Sequence, residues 1–294
     1  MRFGCRRRRF NLRRDRHKIV IRLEKMIAVT GAGGFIGSHV VELLTKMKIP
    51  VLGIDKTTGI DVTDDEIPLH GCSAVIHLAG VLGTSELFDS VENAININVH
   101  GTRRVLESAV KNDVSYVGIT MPDVWPSVYQ ATKLAGVRLA AAFNNATGLP
   151  VTHIRAFNVF GKRQPCGDHH PAKILPTFAT ASWRGAPMPI YGNGYQTVDL
   201  VSADHVANCL VLAAVGRLSN AGKNGVWDAG SGIETPVTTV AAMVGKITGN
   251  DSVALLRMRH GELPDTKLAA SEFGPLMPYV FDYEDFVETV NSYR

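Results

Sequence analysis

The chain has 294 residues, with 31 lysines and arginines against 27 acids for a formal charge of +4, and it is 45% hydrophobic and 20% charged. That profile belongs to a core-forming chain and not to a disordered one, and the length accommodates one large domain or two closely joined ones. No apolar run approaches the roughly 20 residues that cross a bilayer, which excludes a membrane-spanning helix.

The total charge hides two unlike parts. Residues 1–25 hold eleven basic residues and two acids, Asp15 and Glu24, so this segment carries +9 and the remainder −5. An arm of this kind could meet nucleic acid or an anionic surface. It has no apolar signal-peptide core and lacks the serine enrichment of a transit peptide, so we read it as a poorly ordered extension or as sequence upstream of a start at Met26. Cys5, Cys72, Cys166 and Cys209 are widely spread without CxxC spacing, which fits a reduced, cytoplasmic protein without a disulfide framework. The stretch 166–170 (CGDHH) contains metal-ligand residue types but has no second cluster at a suitable spacing, so it reads as a polar surface loop and no metal is expected.

From Met26 the pattern becomes regular. Met26–Thr30 is a short apolar run of strand type, followed by a glycine-rich turn. Ile36, Val40, Leu43, Leu44 and Met47 then recur at helical spacing over 35–46, and Pro50 marks the end. Val51–Ile54 and Ala74–Leu78 predict two further strands; helical patterns at about 91–112 and 127–147 flank a strand at Tyr116–Ile119, and Val151–Ala156 follows as another. Strands alternating with helices predict right-handed βαβ crossovers and a doubly wound parallel α/β sheet covered on both faces. After Asn158 the prolines and glycines multiply, which suits a smaller, loop-rich, substrate-binding region. Segments around 206–215 and 225–228 are expected to return to the sheet, so a core over 26–157 and a substrate region over 158–294 would interleave.

Gly31, Gly34 and Gly37 form a G-x-x-G-x-x-G pattern directly after the first strand and open the first helix. In that context Gly31 permits the tight turn, Gly34 lets backbone approach a pyrophosphate, and Gly37 allows close helix–strand packing. The helix N-terminus, beginning at Phe35 and Ile36, offers unpaired N–H groups to phosphates. Asp55, at the end of the second strand, is placed to accept from an adenosine ribose and to repel a 2′-phosphate, which favours NAD over NADP. Tyr129 and Lys133, four positions apart, share one helix face one turn apart. A neighbouring ammonium and a nicotinamide charge would favour the phenolate and let the tyrosine act as a base near neutral pH.

These motifs together resemble the extended short-chain dehydrogenases/reductases, in particular the NAD-dependent epimerase/dehydratase group acting on nucleotide sugars. The resemblance runs from about Met26 to the C-terminus through residues 30–37 (TGAGGFIG), 61–62 (DV), 77–80 (HLAG), 98–102 (NVHGT), 129–133 (YQATK), 155–161 (RAFNVFG), 196–199 (QTVD) and 259–262 (RHGE). It implies a Rossmann-type fold, with Asp61 and Val62 against adenine, Leu78, Ala79 and Gly80 lining the cofactor cleft, and Asn98 holding the middle of the fold. It further implies Tyr129 and Lys133 as catalytic residues, Asn158 and Arg259 as contacts of the sugar nucleotide's diphosphate, and a homodimer through the helices around 101–111 and 129–147.

The family places a hydroxyl just beyond the strand preceding the tyrosine. Thr120 is the natural candidate, although aligning Asp123-Val124-Trp125 with the family's segment would put Met121 there, and Ser127 is a third option. The path from Thr120 to Tyr129, nine positions, is far shorter than in that family, and Val198 stands where a second arginine is usual. Dehydratases of the group carry adjacent acid and base carboxylates after the threonine, whereas Met121 and Pro122 stand here and only Asp123 is close. Epimerisation needs only reversible hydride transfer through a 4-keto sugar, and the sequence leans that way. A dehydratase, a plain NAD-dependent reductase and a catalytically weakened NAD-binding protein are the alternatives. Because the arm has no part in this chemistry, a chain beginning at Met26 is expected to fold and bind NAD as well as the full chain. Thermal unfolding and NAD titration of both forms check this, and a large loss of either would give the arm a role.

Overall fold

The structure, a computed structural model, describes residues 26–294 apart from 64–65, 84, 168–169, 171, 217–224, 260 and 264–265; the arginine-rich arm lies outside the described residues. The apolar run Met26–Thr30 forms β1, and helix α1 (Phe35–Lys46) returns the chain to β2 (Val51–Ile54). Strand β3 (Cys72–His77) follows, then a 3₁₀ turn and the short α2 (Val91–Ile95), a π-helical stretch Asn96–Gly101, α3 (Thr102–Lys111), β4 (Ser115–Thr120), α4 (Val128–Thr147) and β5 (Val151–Ala156). These strands and β10 (Val226–Ala229) form one sheet in the order β10-β5-β4-β3-β1-β2, parallel throughout.

Side chains alternate across this sheet and so build a core on each face. Ile27, Val29, Ile76, Val117 and Ile154 pack with Val40 and Leu44 of α1 and with Val206 and Leu210 of α6 (Ala203–Ala214). Ala28, Ile54, Val75 and Tyr116 face the other way, onto Val105, Leu106 and Ala109 of α3 and Ala140 of α4. The doubly wound α/β architecture is thus the one expected, with α6 and β10 as the segments that return to the sheet.

The boundaries differ in two places. The third strand runs Cys72–His77, two residues earlier than the apolar run suggests at its start, because Cys72 pairs with Met26 across a register shift. The helix expected over 91–112 is broken by the π stretch at 96–101, a local distortion of the kind that collects at functional sites.

The remaining chain adds β6 (Asn158–Phe160), α5 (Ile174–Trp183), β7 (Met188–Tyr191), β8 (Thr197–Val198), β9 (Leu200–Ser202), β11 (Thr235–Pro236), α7 (Val237–Thr248), β12 (Val253–Leu256) and α8 (Tyr283–Asn291). Two-stranded pairs β6–β9, β7–β12 and β8–β11 hold it together. Asp199 is the polar staple of this region and is fully buried. One carboxylate oxygen accepts from the Ser231 N–H (2.7 Å) and hydroxyl (2.6 Å), and the other from the N–H groups of Gly232 and Ala270 (2.8 Å each). Its carbonyl accepts from the Asn158 N–H at 2.9 Å, tying the staple to the end of the sheet. Asp199→Ala strands several buried donors at once, so chemical denaturation should show stability lowered by about 3 kcal/mol or more.

Candidate active site

Every motif strand delivers its residues to the carboxyl edge of the sheet. Strand β1 has β2 on one side and β3 on the other, so the chain reverses its winding there and leaves a crevice above the strand ends. Gly31 follows β1 at φ +68°, and a Cβ on it would lie 2.8 Å from the Ala79 amide nitrogen after β3. A Cβ on Gly37 would lie 2.0 Å from the Gly31 carbonyl oxygen. Both positions therefore exclude any side chain, the first by conformation and contact, the second by contact with the turn. Gly34 is the N-cap of α1; no side chain caps it and no acid occupies the first turn, so the helix presents the free N–H groups of Phe35 and Ile36 and their partial positive charge.

Asp55 is held beside this turn. Its carboxylate accepts from the Gly33 N–H (2.9 Å) and from the Thr57 N–H (3.0 Å) and hydroxyl (2.7 Å). Burial disfavours its ionised form, but these donors outweigh burial and hold the carboxyl below its ordinary value. Asp61 accepts from the Thr63 N–H and hydroxyl at 2.9 Å, and buried Val62 packs where a Cβ on Gly101 would approach its Cγ2 to 2.9 Å. A surface hollow of about 660 Å³ is bordered by Ala32, Gly33, Gly53 and Thr58 beside this turn.

Behind the crevice runs a buried polar chain whose direction can be assigned. The Thr102 hydroxyl donates to the Asn98 carbonyl (2.7 Å), so toward His77 Nε2 (3.0 Å) its oxygen can only accept. Burial first, then the Lys133 ammonium and His153, push the His77 imidazole down to about 3, so it is neutral. Its Nε2 then carries the proton, and Nδ1 accepts from the Thr30 hydroxyl at 2.7 Å. The Thr30 oxygen in turn accepts from the N–H groups of Leu78 and Ala79, at 3.2 Å each. At the other end Asn98, within the π stretch, accepts from the Val81 N–H (2.9 Å) and donates to the Thr132 hydroxyl oxygen (3.0 Å), which donates to the Val128 and Tyr129 carbonyls. A Cβ on Gly80 would lie 2.9 Å from Asn98 Oδ1. One continuous relay thus joins the glycine turn to the backbone of Tyr129. His77, Thr30, Thr102 and Thr132 belong to the site's scaffold; each lies inside one of the motif segments, but the motifs gave none of them a role.

Tyr129 and Lys133 lie on the first turns of α4, beside Thr132. Burial pushes the Tyr129 phenol up to about 12 and pulls the Lys133 ammonium down to about 8. Burial thus opposes the phenolate, against which the expectation sets the Lys133 ammonium together with a nicotinamide charge. Thr120 ends β4; it is buried, and its hydroxyl has no hydrogen-bond partner among the described residues. Ser127 is placed as the cap of α4, its hydroxyl oxygen accepting from the Gln130 N–H at 3.1 Å. Asp123 accepts from the Gln130 side-chain amide.

Asn158 starts β6 beside the Asp199 staple. Arg259 lies over the Tyr191 ring, 4.8 Å from its centroid, and meets the buried Glu262 at 2.5 Å, while its Nε has no partner among the described residues. Lys173, the N-cap of α5, faces the same group: burial lowers its pKa, against the pull of Glu86, with Arg259 adding to the fall and Glu262 opposing it. Nothing in the motif pattern singles out Lys173, because its neighbours come from distant segments. Val198 is buried in β8, so no cation occupies that position. In the Cys166 segment, Asp168 and His169 lie outside the described residues, and the exposed Cys166 thiol accepts from the Thr180 hydroxyl of α5.

The glycine turn, the open N-terminus of α1 and Asp55 fit a dinucleotide: N–H groups for the pyrophosphate at Gly34–Gly37 and a carboxylate for the ribose. Gly31→Ala forces a side chain against Ala79 and should weaken NAD binding more than about tenfold, read by NAD titration of folded protein.

The family profile of the NAD dependent epimerase/dehydratase family matches residues 27–230. Among curated relatives, a UDP-glucose 4-epimerase of Mycolicibacterium smegmatis is 28% identical, over 90% of this chain and 97% of its own. A dTDP-glucose 4,6-dehydratase of Streptomyces niveus is 26% identical over 91% and 92% of the two chains. The solved structure of MoeE5 in complex with UDP-glucose and NAD superimposes with a TM-score of 0.77 at 26% identity, covering 90% of this chain and 97% of that one. No helix among the described residues is long and apolar enough to cross a membrane. The chain belongs to the NAD-dependent epimerase/dehydratase family, as an enzyme with NAD as its cofactor.

Proposed function

We propose that the protein is a nucleotide-sugar epimerase that inverts a sugar hydroxyl through a transient 4-keto sugar. The observation that carries this reading is Thr120: a buried hydroxyl without a partner among the described residues, at the carboxyl end of β4, followed by Met121 and Pro122 and not by a pair of carboxylates. Water loss needs a proton acceptor and a donor at adjacent sugar carbons, whereas epimerisation needs one acid–base group used in both directions.

In this reading Gly31, Gly34, Phe35, Ile36, Gly37, Asp55, Asp61, Val62, Leu78, Ala79, Gly80 and Asn98 form the cofactor cradle, with Tyr129 and Lys133 at its inner end. Bound NAD supplies the hydride acceptor and a positive ring beside the phenol. Tyr129 takes the proton of the sugar hydroxyl and returns it after the ketone has been presented by its other face. The Lys133 ammonium favours the phenolate, and the Thr120 hydroxyl donates to the reacting oxygen. Asn158 and Arg259 hold the diphosphate, for which a planar guanidinium suits paired oxygens. The reading includes a homodimer paired through residues 101–111 and 129–147 and a cytoplasmic location; the mutual packing of α3 and α4, with Val110 exposed, suits the first.

A panel of nucleotide sugars, read by product identity without added cofactor, should yield a 4-epimer. Tyr129→Phe should cut kcat by about 10²–10⁴ while retaining NAD. A protein that holds NAD, converts nothing in the panel and is unchanged by Tyr129→Phe would end the enzymatic reading, and a 4-keto-6-deoxy product would replace it with dehydration.

A further inference from the structure

The connection from β4 to α4 is residues 121–127, and Gln130 ties it at Asp123 and at Ser127. The Gln130 backbone N–H donates to the Ser127 hydroxyl at 3.1 Å, which closes the first turn of α4. Its side-chain amide donates to the Asp123 carboxylate, three positions beyond Thr120. Gln130 itself is buried, so its side chain cannot swing out into water to find other partners. Asp123 is exposed, yet it points back at the helix that carries Tyr129. The segment between Thr120 and Tyr129 is therefore pinned at its middle and at its end by one residue adjacent to the tyrosine.

We infer that the Asp123–Gln130 pair is a positioning device, setting Tyr129 against Thr120 across this short connection, with Asp123 serving as a fixed hydrogen-bond acceptor and not as a proton-transferring group. The inference rests on Tyr129 and Thr120 being the reacting pair, as proposed above. Two features follow from it. Asp123 is the one carboxylate in 121–127, and one of its oxygens is engaged by the buried Gln130 amide with no second carboxylate beside it in the connection, an arrangement that suits a fixed acceptor better than the paired acid and base of a dehydration. And a short connection has little internal packing of its own, so an external tie has to fix where Thr120 ends and Tyr129 begins. Misplacement of reacting groups by small distances is costly even when every group is present.

The chemistry of the pair supplies its own control. An asparagine at 123 still offers a carbonyl oxygen to the Gln130 amide but cannot take up a proton; an alanine offers neither. The experiment uses the full chain with NAD bound, wild type beside Asp123→Asn, Asp123→Ala, Gln130→Leu and Tyr129→Phe. Two readouts are taken: turnover of UDP-glucose or another nucleotide sugar converted in the panel, and the ultraviolet titration of tyrosinate, with the Tyr129→Phe curve subtracted. Asp123→Ala and Gln130→Leu should each lower kcat about tenfold or more, with KM and NAD retention within about twofold. Both should also move the Tyr129 midpoint by about half a pH unit or more, a readout that needs no substrate. Asp123→Asn should remain within about threefold of wild type in kcat, with its midpoint unmoved. If Asp123→Asn is as impaired as Asp123→Ala, the carboxylate transfers protons and the inference fails. If Asp123→Ala and Gln130→Leu both match wild type in turnover and midpoint, the pair positions nothing and it fails equally. A normal rate in Tyr129→Phe is a different result: it overturns the assignment of the reacting pair itself.

Discussion

The contact on which the rest of the site depends is the one between the turns after β1 and β3. Gly31 and Ala79 approach so closely that a Cβ on the first would lie 2.8 Å from the amide of the second. This proximity arises where the sheet reverses its winding, and it brings the open N-terminus of α1 and the Leu78–Gly80 segment to opposite sides of one crevice. A side chain at Gly31 would push the two turns apart and with them the free N–H groups at the start of α1 that we propose for the phosphates. Gly37 serves the same end from below, since only hydrogen fits over the Gly31 carbonyl, 2.0 Å from where a Cβ would stand.

What extends this constraint to the chemistry is the directed hydrogen-bond relay. The Thr30 hydroxyl, which accepts from Leu78 and Ala79, donates to a neutral His77, whose other nitrogen donates to Thr102 and so toward Asn98. A charged imidazole would have two donors and would clash with the Thr30 proton; burial prevents this. Asn98 then reaches Thr132 and, through it, the Tyr129 carbonyl. The π-helical stretch around Asn98 is the backbone counterpart of this demand, because a regular helix through 91–112 would turn Asn98 differently. Cofactor turn and tyrosine are thereby located by one rigid polar framework, each member satisfied by the next.

Much of this was legible in the sequence because it is local. The glycine turn, Asp55 and the four-residue spacing of Tyr129 and Lys133 each sit within a single strand–turn–helix unit, where pattern and physics coincide. Over 26–157, strand and helix positions followed from apolar periodicity, with errors confined to ends and to the π stretch, whereas helices α5, α7 and α8 of the later, proline- and glycine-rich region were not singled out. What was not legible is what distant segments decide. Asp199 belongs to the 196–199 motif, but nothing there shows that it is the fully buried acceptor for Ser231, Gly232 and Ala270. Lys173 acquires its setting from Glu86, Arg259 and Glu262, and Gln130 from Asp123 across a turn of irregular path. The ionisation of Tyr129 shows the same limit: spacing predicts a neighbouring lysine, but burial, which spacing does not report, pushes the phenol up to about 12.

Net charge is the last case in which the local arrangement decides. A body of −5 is a poor host for a dinucleotide and a nucleotide sugar if charge is averaged over the surface. At physiological salt, however, surface charges are screened within about 8 Å, so the groups at the crevice outweigh the total. The helix ends differ accordingly. Helix α4 is capped by Ser127, α6 by Ser202 with Asp204 in its first turn, and α8 by Asp282 with Glu284 and Asp285, so part of their N-terminal demand is already met, while α5 and α7 start as bare as α1 but without a glycine turn before them. Helix α1, beneath the glycine turn, has a glycine cap, no side-chain acceptor and no acid in its first turn. Its partial positive charge is left for an external anion at the point where Gly31 and Gly37 let backbone approach it, and with the family's cofactor carrying phosphates, that is where an acidic body can hold it.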